Sequence, residues 1–269
     1  MLRNMSDLEG CNILATDGGI GHVNDFYFDD NAWVIRYLVA DTGTWLSRKV
    51  LVSPISIGHP NWAEKTLPVL LSREQVKNSP EIDTDQPVSR QNEIMQLSYY
   101  GYPSYWGGAG LWGVGMYPNL MMSGAGGFAS SPQLTTQEQA SALKVMHSGN
   151  DHHLRSCNEV MTYHIHATDG DIGHVKGMLV DDESWAIRYL IVDTSNWWLG
   201  HEILISPEWI KEVSWSDAKV SVNLTRRAVQ EAPEYDPSIQ VERDQESEIH
   251  RHYKRPGYWE DHDAHSNLP

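Results

Sequence analysis

The stretch that decides the fold occurs twice: residues 15–23 read ATDGGIGHV, and residues 167–175 read ATDGDIGHV. At this offset of 152 residues, 18 of the 31 positions from Ala15 to Trp45 are identical to their counterparts. The second copy then gains one residue near Trp198, and the match continues at an offset of 153. Two copies of roughly 100 residues predict two domains of like fold rather than the elements of a solenoid.

The repeats set the predicted domain boundaries. The first repeat spans 2–106, a Gly/Met/Ser-rich linker spans 107–153, the second repeat spans 154–259, and an acidic, histidine-containing tail spans 260–269. Residues 135–146 within the linker favour a short helix that begins with a Thr-x-x-Glu capping box. No charged residue occurs from 94 to 137, which raises the alternative of a membrane hairpin. Proline and many glycines interrupt that stretch, so we expect no spanning helix.

Each repeat alternates short apolar runs with turn residues, a pattern typical of a β protein. Strands are predicted within 19–28, 33–40, 50–52 and 66–71. A capping box at Ser72 and Gln75 and a weakly amphipathic run at 91–100 predict two short helices after the strands. The expected fold is mainly β, with two small antiparallel β-barrels that each carry a short C-terminal helical appendage.

Composition narrows the function classes. The 269-residue chain has a formal net charge of −16, which disfavours nucleic acid as a partner because its backbone is also negative. Cys11 and Cys157 do not occupy equivalent repeat positions, so we expect free, partly buried thiols rather than a duplicated redox or metal site. The first residues lack an apolar run of signal-peptide length, which predicts a cytoplasmic location.

The candidate interaction residues are polar groups that recur in both repeats, together with one unpaired tryptophan. They are His22, Asp29, Asp30, Arg36, Asp41, His174, Asp181, Asp182, Arg188, Asp193 and Trp198. The two equivalent histidines are either polar tips on a strand or a pair of proton or metal groups. Arg36 is expected to pair with Asp29 or Asp30, and Asp41 to bind turn amides. The alternative is a charged stripe that contacts a partner.

Two further patterns allow more than one interpretation. Asp17–Gly21 resembles a phosphate loop, but a strand follows it instead of a helix, which favours a hairpin turn. Tryptophans that recur in both repeats are expected in the core or in subunit packing. The unpaired Trp112, Trp198 and Trp209 are the candidates for surface contacts.

The repeated pattern from Asp17 to Pro54, found again from Asp169 to Pro207, resembles the PRC-barrel family. The residues that carry the resemblance are Asp17-Gly18-x-Ile20-Gly21-His22-Val23, Asp29-Asp30, Ile35-Arg36-Tyr37-Leu38-Val39-x-Asp41-Thr42, Trp45 and Val50-Leu51-Val52-Ser53-Pro54. The resemblance implies a small β-barrel like the cytoplasmic domain of the photosynthetic reaction centre H subunit and the C-terminal domain of ribosome maturation factors. In those proteins the barrel is mainly a protein-binding module.

No Ser-His-Asp or Cys-His set recurs in both repeats. We therefore expect a non-enzymatic tandem PRC-barrel protein that acts in protein interaction or assembly, with a protein partner, no cofactor and no resident metal. Self-association and membrane association without a spanning helix stay open. One alternative is a reaction-centre H-like component tied to electron transfer at a membrane. The other is a metal or small-ligand binding protein with a site between the barrels that uses His22, His164, His174 and His201.

Overall fold

The computed structural model describes residues 1–43, 46, 48–81, 88–106, 108, 110–113, 115–123, 152–194 and 201–260. Trp45, Trp198 and the helix expected at 135–146 lie outside the described residues. The chain forms two compact units. Unit 1 contains Met1, Ser6–Glu159 and Asp181–Ala186, whereas unit 2 contains Leu2–Met5, Val160–Val180 and Ile187–Pro269.

Unit 1 is built on a sheet of seven described strands. Its order is β5-β4-β3-β2-β6, while β8 pairs with β3 and with β7. The strands are β2 (Asn12–Ala15), β3 (Gly18–Asp29), β4 (Val34–Asp41), β5 (Lys49–Val52), β6 (Thr66–Pro68), β7 (Val88–Ser89) and β8 (His152–Ser156). The helices are α2 (Arg73–Lys77), α3 (Arg90–Tyr100) and α4 (Leu120–Ser123), and a 3-10 turn spans Pro54–Ser56.

Unit 2 follows a similar plan. Its order is β12-β11-β10-β9-β14-β13, and β1 pairs with β10. The strands are β1 (Leu2–Asn4), β9 (His164–Ala167), β10 (Gly170–Asp181), β11 (Ile187–Asp193), β12 (Glu202–Ile205), β13 (Ile210–Ser214) and β14 (Lys219–Val222). The helices are α6 (Arg226–Gln230) and α7 (Arg243–His252), with a 3-10 turn at Pro207–Trp209. The four-residue helices α1 (Met5–Leu8) and α5 (Cys157–Val160) follow β1 and β8.

The expected mainly β class with short helical appendages is confirmed. Most neighbouring strands are antiparallel, and one pair in each sheet, β2 with β6 and β9 with β14, is parallel. Parallel neighbours need a long connection, and the strands between β2 and β6 provide it. Barrel closure stays a prediction, since each pairing path among the described strands runs from one end strand to the other.

The compact units differ from the sequence repeats in two short segments. β1, at the start of the first repeat, pairs with β10 of unit 2. Its sequence counterpart β8, at the start of the second repeat, pairs with β3 of unit 1 through Tyr27↔Ser156 and Asp29↔Leu154. Leu154 is fully buried in the core cluster of unit 1 with Tyr27 and Tyr37. Each unit is therefore completed by a strand that the other repeat encodes.

Local signals place the turns and helices. Ala15 pairs with Gly18, which confirms the hairpin predicted at Asp17-Gly18, and Gly18 takes a φ of 145° that favours glycine. The Asp17 carboxylate accepts a hydrogen bond of 2.7 Å from the backbone amide of Arg73, the first residue of α2. Ser72 and Gln75 form the predicted capping box of that helix.

Candidate functional site

Two of the predicted site residues in unit 1 face each other across neighbouring strands. His22 on β3 pairs with Asp41 on β4, and Asp41 pairs in turn with Lys49 on β5. Asn12 on β2 lies on the other side of His22. Directly opposed residues of an antiparallel pair share one sheet face, so these side chains form a polar row. We call Asn12, His22, Asp41 and Lys49 the unit 1 row.

The same positions form a row in unit 2 with a different charge. His174 pairs with Asp193, His164 lies beside His174, and Glu202 lies beside Asp193. His164 is also paired with Lys219. The sequence selected the central His and Asp of both rows as candidates but not their pairing, and the outer residue changes from Lys49 in unit 1 to Glu202 in unit 2.

The glycine before each histidine allows the two neighbouring strands to approach closely. A Cβ at Gly21 would lie 2.0 Å from the Asp41 carbonyl oxygen, and one at Gly173 would lie 2.0 Å from that of Asp193. No larger side chain fits without moving the backbone. The close approach of the strands therefore explains the glycine of the repeated Gly-His sequence and leaves the histidine unexplained by the fold.

Arg36 and Asp29 lie inside unit 1. The Arg36 side chain is 3% exposed, and its Nη2 lies 3.6 Å from Asp29 Oδ2, which confirms the predicted pairing. Its Nη1 donates to the Leu111 carbonyl at 2.7 Å, and its guanidinium carbon lies 3.7 Å from the centre of the Tyr105 ring. Burial lowers the pKa of Arg36, while Tyr105 and Asp29 act in the opposite direction. This pair supports the fold rather than a surface contact.

The Asp-Asp sequences after β3 and β10 form tight turns. Asp29 Oδ1 accepts hydrogen bonds from the amides of Asn31 and Ala32. The Asp181 carboxylate accepts hydrogen bonds from the Glu183 amide and the Ser184 hydroxyl. Asp30 Oδ2 accepts a hydrogen bond of 3.1 Å from Arg155 Nε of β8. Asp182 forms an ion pair with the Met1 amino group at 2.8 Å. Burial raises the pKa of Asp30, and Arg155 opposes that shift.

Both turns close on a tryptophan with left-handed backbone geometry. Trp33 has a φ of 53° and donates its amide to the Asp29 carbonyl at 2.8 Å. Trp185 has a φ of 60° and donates to the Asp181 carbonyl at 2.7 Å. Both side chains are buried, as expected for tryptophans that recur in the two repeats.

A buried carboxylate lies behind the sheet of unit 1. The Glu93 side chain is fully buried, and three groups contact it: Arg90 Nη1 at 3.0 Å, the Tyr105 hydroxyl at 2.5 Å and His153 Nε2 at 2.5 Å. The Tyr37 hydroxyl lies in the same interior without a hydrogen-bond partner among the described groups. Burial raises the pKa of Tyr105 far above its ordinary value. We call Arg90, Glu93, Tyr105 and His153 the Glu93 cluster.

Unit 2 carries the corresponding cluster with different partners. Glu246 contacts Arg243 Nη1 at 3.0 Å, the Tyr258 hydroxyl at 2.7 Å and the Tyr189 hydroxyl at 3.1 Å. Burial raises the pKa of Glu246, and the Tyr258 hydrogen bond and Arg243 oppose that shift. His250 Nε2 lies 3.0 Å from the Tyr189 hydroxyl. The hydroxyl of Tyr189 thus takes the place that His153 holds on Glu93.

Repeat matching aligns the Arg, Glu and Tyr residues of the two clusters, but the sequence did not select them as a site. The signal was present, because Arg90, Glu93 and Tyr105 match Arg243, Glu246 and Tyr258 at one offset. The assignment of Trp112 and Trp209 to the surface was wrong, since they are 1% and 3% exposed. The Trp112 indole donates to the Ser184 carbonyl, and Trp209 packs on His250 and Tyr253, so tertiary contacts bury both rings.

Exposed apolar side chains are distributed unequally between the units. Of the eight large hydrophobic side chains that are exposed among the described residues, seven belong to unit 1 and one, Ile239, to unit 2. The seven are Met1, Leu14, Leu70, Met95, Tyr99, Tyr117 and Leu120. Sequence reasoning missed this set, because repeat matching selects what the copies share.

In the part of the chain that the structure describes, no three His, Cys, Asp or Glu side chains are grouped to hold a metal ion. Cys11 and Cys157 are both free, as predicted, and both are fully buried rather than partly. Among the same residues, no helix is long and apolar enough to cross a bilayer.

Residues 3–61 match the family model of the PRC-barrel domain. This part of the chain is a PRC-barrel domain. The match covers the hairpin of β2 and β3, the Asp29 turn, β4 and β5, which together carry the unit 1 row and the Arg36–Asp29 pair. A comparison with curated proteins finds no match to the chain.

Proposed function

We propose that the protein is a non-enzymatic interaction or assembly module and that the PRC-barrel unit, unit 1, contributes the apolar face that a protein partner covers. The unequal distribution of exposed apolar side chains carries this proposal. A soluble domain gains nothing in stability from such side chains, and exposed apolar patches commonly mark protein contacts.

The repeats provide an internal reference for this face. Leu14 on β2 and Leu70 after β6 are 40% and 58% exposed, and their unit 2 counterparts are His166 and Asn223. The Val69 amide donates to the Leu14 carbonyl, which places the two leucines on adjoining chain segments. Because unit 2 forms the same strands with polar residues, the fold does not require leucine at these positions.

Helix α3 shows the same contrast. Met95 and Tyr99 lie four residues apart on one helix face and are 45% and 40% exposed. Their counterparts in α7 are Glu248 and His252. The Tyr99 hydroxyl donates to the Gln75 carbonyl at 2.8 Å, and His252 makes the equivalent contact with the Ala228 carbonyl at 2.7 Å. The exchange of residues therefore keeps the internal contact and changes the exposed surface.

The test replaces unit 1 residues with those of unit 2. One variant carries Leu14→His and Leu70→Asn, and a second carries Met95→Glu and Tyr99→His. We expect both to keep the stability of the wild type within about 0.5 kcal/mol, since exposed substitutions cost little. We also expect at least one to lose a partner that quantitative pull-down from native lysate recovers with the wild type.

The matched control is Ile239→Asn, which removes the exposed apolar residue of unit 2 and should retain the partner. Light scattering of the purified variants shows whether the partner is a second copy of the chain. A partner retained by both unit 1 variants, or lost equally in the control, would contradict the proposed face.

A further inference from the structure

Unit 2 contains a cavity of about 140 Å³ at the C-terminal end of α6. Its lining includes Thr194, His201, Ile203, Val229, Gln230 and Glu234. His201 Nδ1 lies 3.1 Å from Glu234 Oε1 at its exposed side. The cavity has about five times the volume of ~30 Å³ that a water molecule occupies in the liquid.

Unit 1 has an arginine in the place of His201. Arg48 Nη2 donates to the carbonyl oxygens of Lys77 at 2.9 Å, Ser79 at 3.0 Å and Val76 at 3.5 Å. These carbonyls belong to the last turn of α2 and the residues after it, where a helix exposes acceptors without intrahelical donors. The guanidinium therefore satisfies the C-terminal end of the helix from within the chain.

The backbones around the two positions match. Thr42 Oγ1 donates to the Arg48 carbonyl at 2.6 Å, and Thr194 Oγ1 donates to the His201 carbonyl at 2.8 Å. The side chains of Arg48 and His201 therefore start from equivalent points. Ser79, which lies 3.4 Å from Arg48 through its hydroxyl, corresponds to Ala232 in the cavity lining. Two shorter side chains thus leave open in unit 2 the volume that unit 1 fills.

The chemistry of the empty volume matches a guanidinium group. The helix end carries partial negative charge, and Glu234 adds a carboxylate. Planar N–H donors arranged as a fork bind several oxygen acceptors at once, which a compact ammonium does less well. Ile203 and Val229 supply an apolar wall for the aliphatic stem. The net charge of −16 favours a cationic ligand over an anionic one.

We propose that the α6 cavity of unit 2 binds the guanidinium group of an arginine supplied from outside the chain, in the place that Arg48 fills in unit 1. This inference concerns unit 2 alone and does not depend on the apolar face of unit 1.

The experiment titrates the full-length, isotope-labelled protein with Nα-acetyl-arginine methylamide and follows the amide NMR signals of Gln230 and Glu231. Nα-acetyl-citrulline methylamide is the neutral control of nearly equal size. We expect saturable shifts with the arginine probe and binding at least tenfold weaker with the citrulline probe. Free L-arginine distinguishes the sources: equal binding indicates a small molecule, and weaker binding indicates an arginine within a polypeptide.

Two reciprocal variants decide the assignment. His201→Arg should fill the cavity with its own guanidinium and abolish the saturable shifts. Arg48→His should open the corresponding volume in unit 1 and add a second set of shifts at Lys77 and Asn78. Equal binding of the citrulline probe, no saturable shift in the wild type, or unchanged binding in His201→Arg would overturn the proposal. The His201→Arg result decides alone if Arg48→His does not fold.

Discussion

Unit 1 and unit 2 place the same elements around different polar interiors. In unit 1, Glu93 contacts Arg90 and His153 of β8, and Arg48 binds the carbonyls at the end of α2. In unit 2, Tyr189 replaces the histidine on Glu246, and His201 leaves the end of α6 open. The turns and the His–Asp pairs are common to both. The shared turns and His–Asp pairs therefore belong to the common fold, whereas the partners of the buried carboxylates and the helix ends are specific to each unit.

The largest expected difference concerns the two buried carboxylates. Glu93→Gln should lower the free energy of unfolding of unit 1 by about 3–5 kcal/mol, because it leaves the Arg90 guanidinium without its buried counter-charge. The Arg90 side chain is only 12% exposed, so water does not easily replace the carboxylate. Urea unfolding with hydrogen exchange at amides of each unit measures the loss.

Glu246→Gln is the matched change in unit 2, and its cost should be about 1–2 kcal/mol. Arg243 is 51% exposed and can turn toward solvent when its partner is lost. Glu248→Gln on the exposed face of the same helix serves as the control. Equal losses in the two units would show that the exposure of the arginine does not control the energy.

A smaller effect is expected at the end of the last helix in each unit. Gly101 takes a φ of 69° after α3, and its counterpart Lys254 takes a φ of 55° after α7. Residues other than glycine are less stable by about 1–2 kcal/mol in this left-handed backbone conformation. Part of that difference is offset because glycine loses more conformational entropy on folding. We therefore expect Lys254→Gly to stabilise unit 2 by about 0.5–1 kcal/mol.

The reciprocal change, Gly101→Lys, should destabilise unit 1 by a similar amount. A Cβ at Gly101 has no atom within 4 Å, so only the backbone conformation opposes the lysine. Urea midpoints of the two variants test the pair. Shifts of the same sign would rule out backbone conformation as the cause.

The smallest expected effect is the pH dependence that His250 gives to the stability of unit 2. His250 lies against Trp209 and Tyr189, and Nδ1 lies 2.6 Å from the Pro256 carbonyl oxygen. Burial lowers the pKa of His250 below its ordinary value of 6.5. The unfolded chain therefore binds a proton first as the pH falls below 6.5, and unit 2 should lose stability until the folded-state pKa is reached.

Glu246 acts in the opposite direction, because its raised pKa makes the folded state bind the proton first as the pH falls toward 4.5. Its contribution is common to the wild type and to His250→Leu, which inserts the residue that unit 1 has at the corresponding position 97. The difference between these two proteins in urea unfolding from pH 7.5 to 5.5 isolates the histidine. A constant difference over that range would refute its role.

The sequence predicted the features that depend on neighbouring residues. The Asp17-Gly18 turn, the Ser72 capping box and the Arg36–Asp29 pair follow from local conformation or from residues on adjacent strands. Repeat matching also selected His22, Asp41, His174 and Asp193 as candidates, but their pairing across β3–β4 and β10–β11 became visible only in the structure.

Other features depend on contacts between distant segments. Leu2-Arg3 and Leu154-Arg155 are alike, so their local sequence does not show which unit each strand completes. A glutamate in a helix is typically exposed. The contacts of Glu93 with Arg90, Tyr105 and His153 offset the cost of removing its carboxylate from water, and these contacts depend on the tertiary fold. The α6 cavity results from two side chains, His201 and Ala232, that are shorter than their unit 1 counterparts, and no sequence motif indicates it.

The exchange of β1 and β8 has a consequence for the order of folding. β1 covers residues 2–4, whereas its partner strand β10 begins at residue 170. Unit 1 likewise needs β8, which begins at residue 152 and pairs with β3. Such pairings raise contact order and close late, because the chain must form very long loops first. During synthesis the first repeat therefore cannot complete the sheet of unit 1 until β8, at the start of the second repeat, has emerged, and β1 stays without its strand partner until β10 is made.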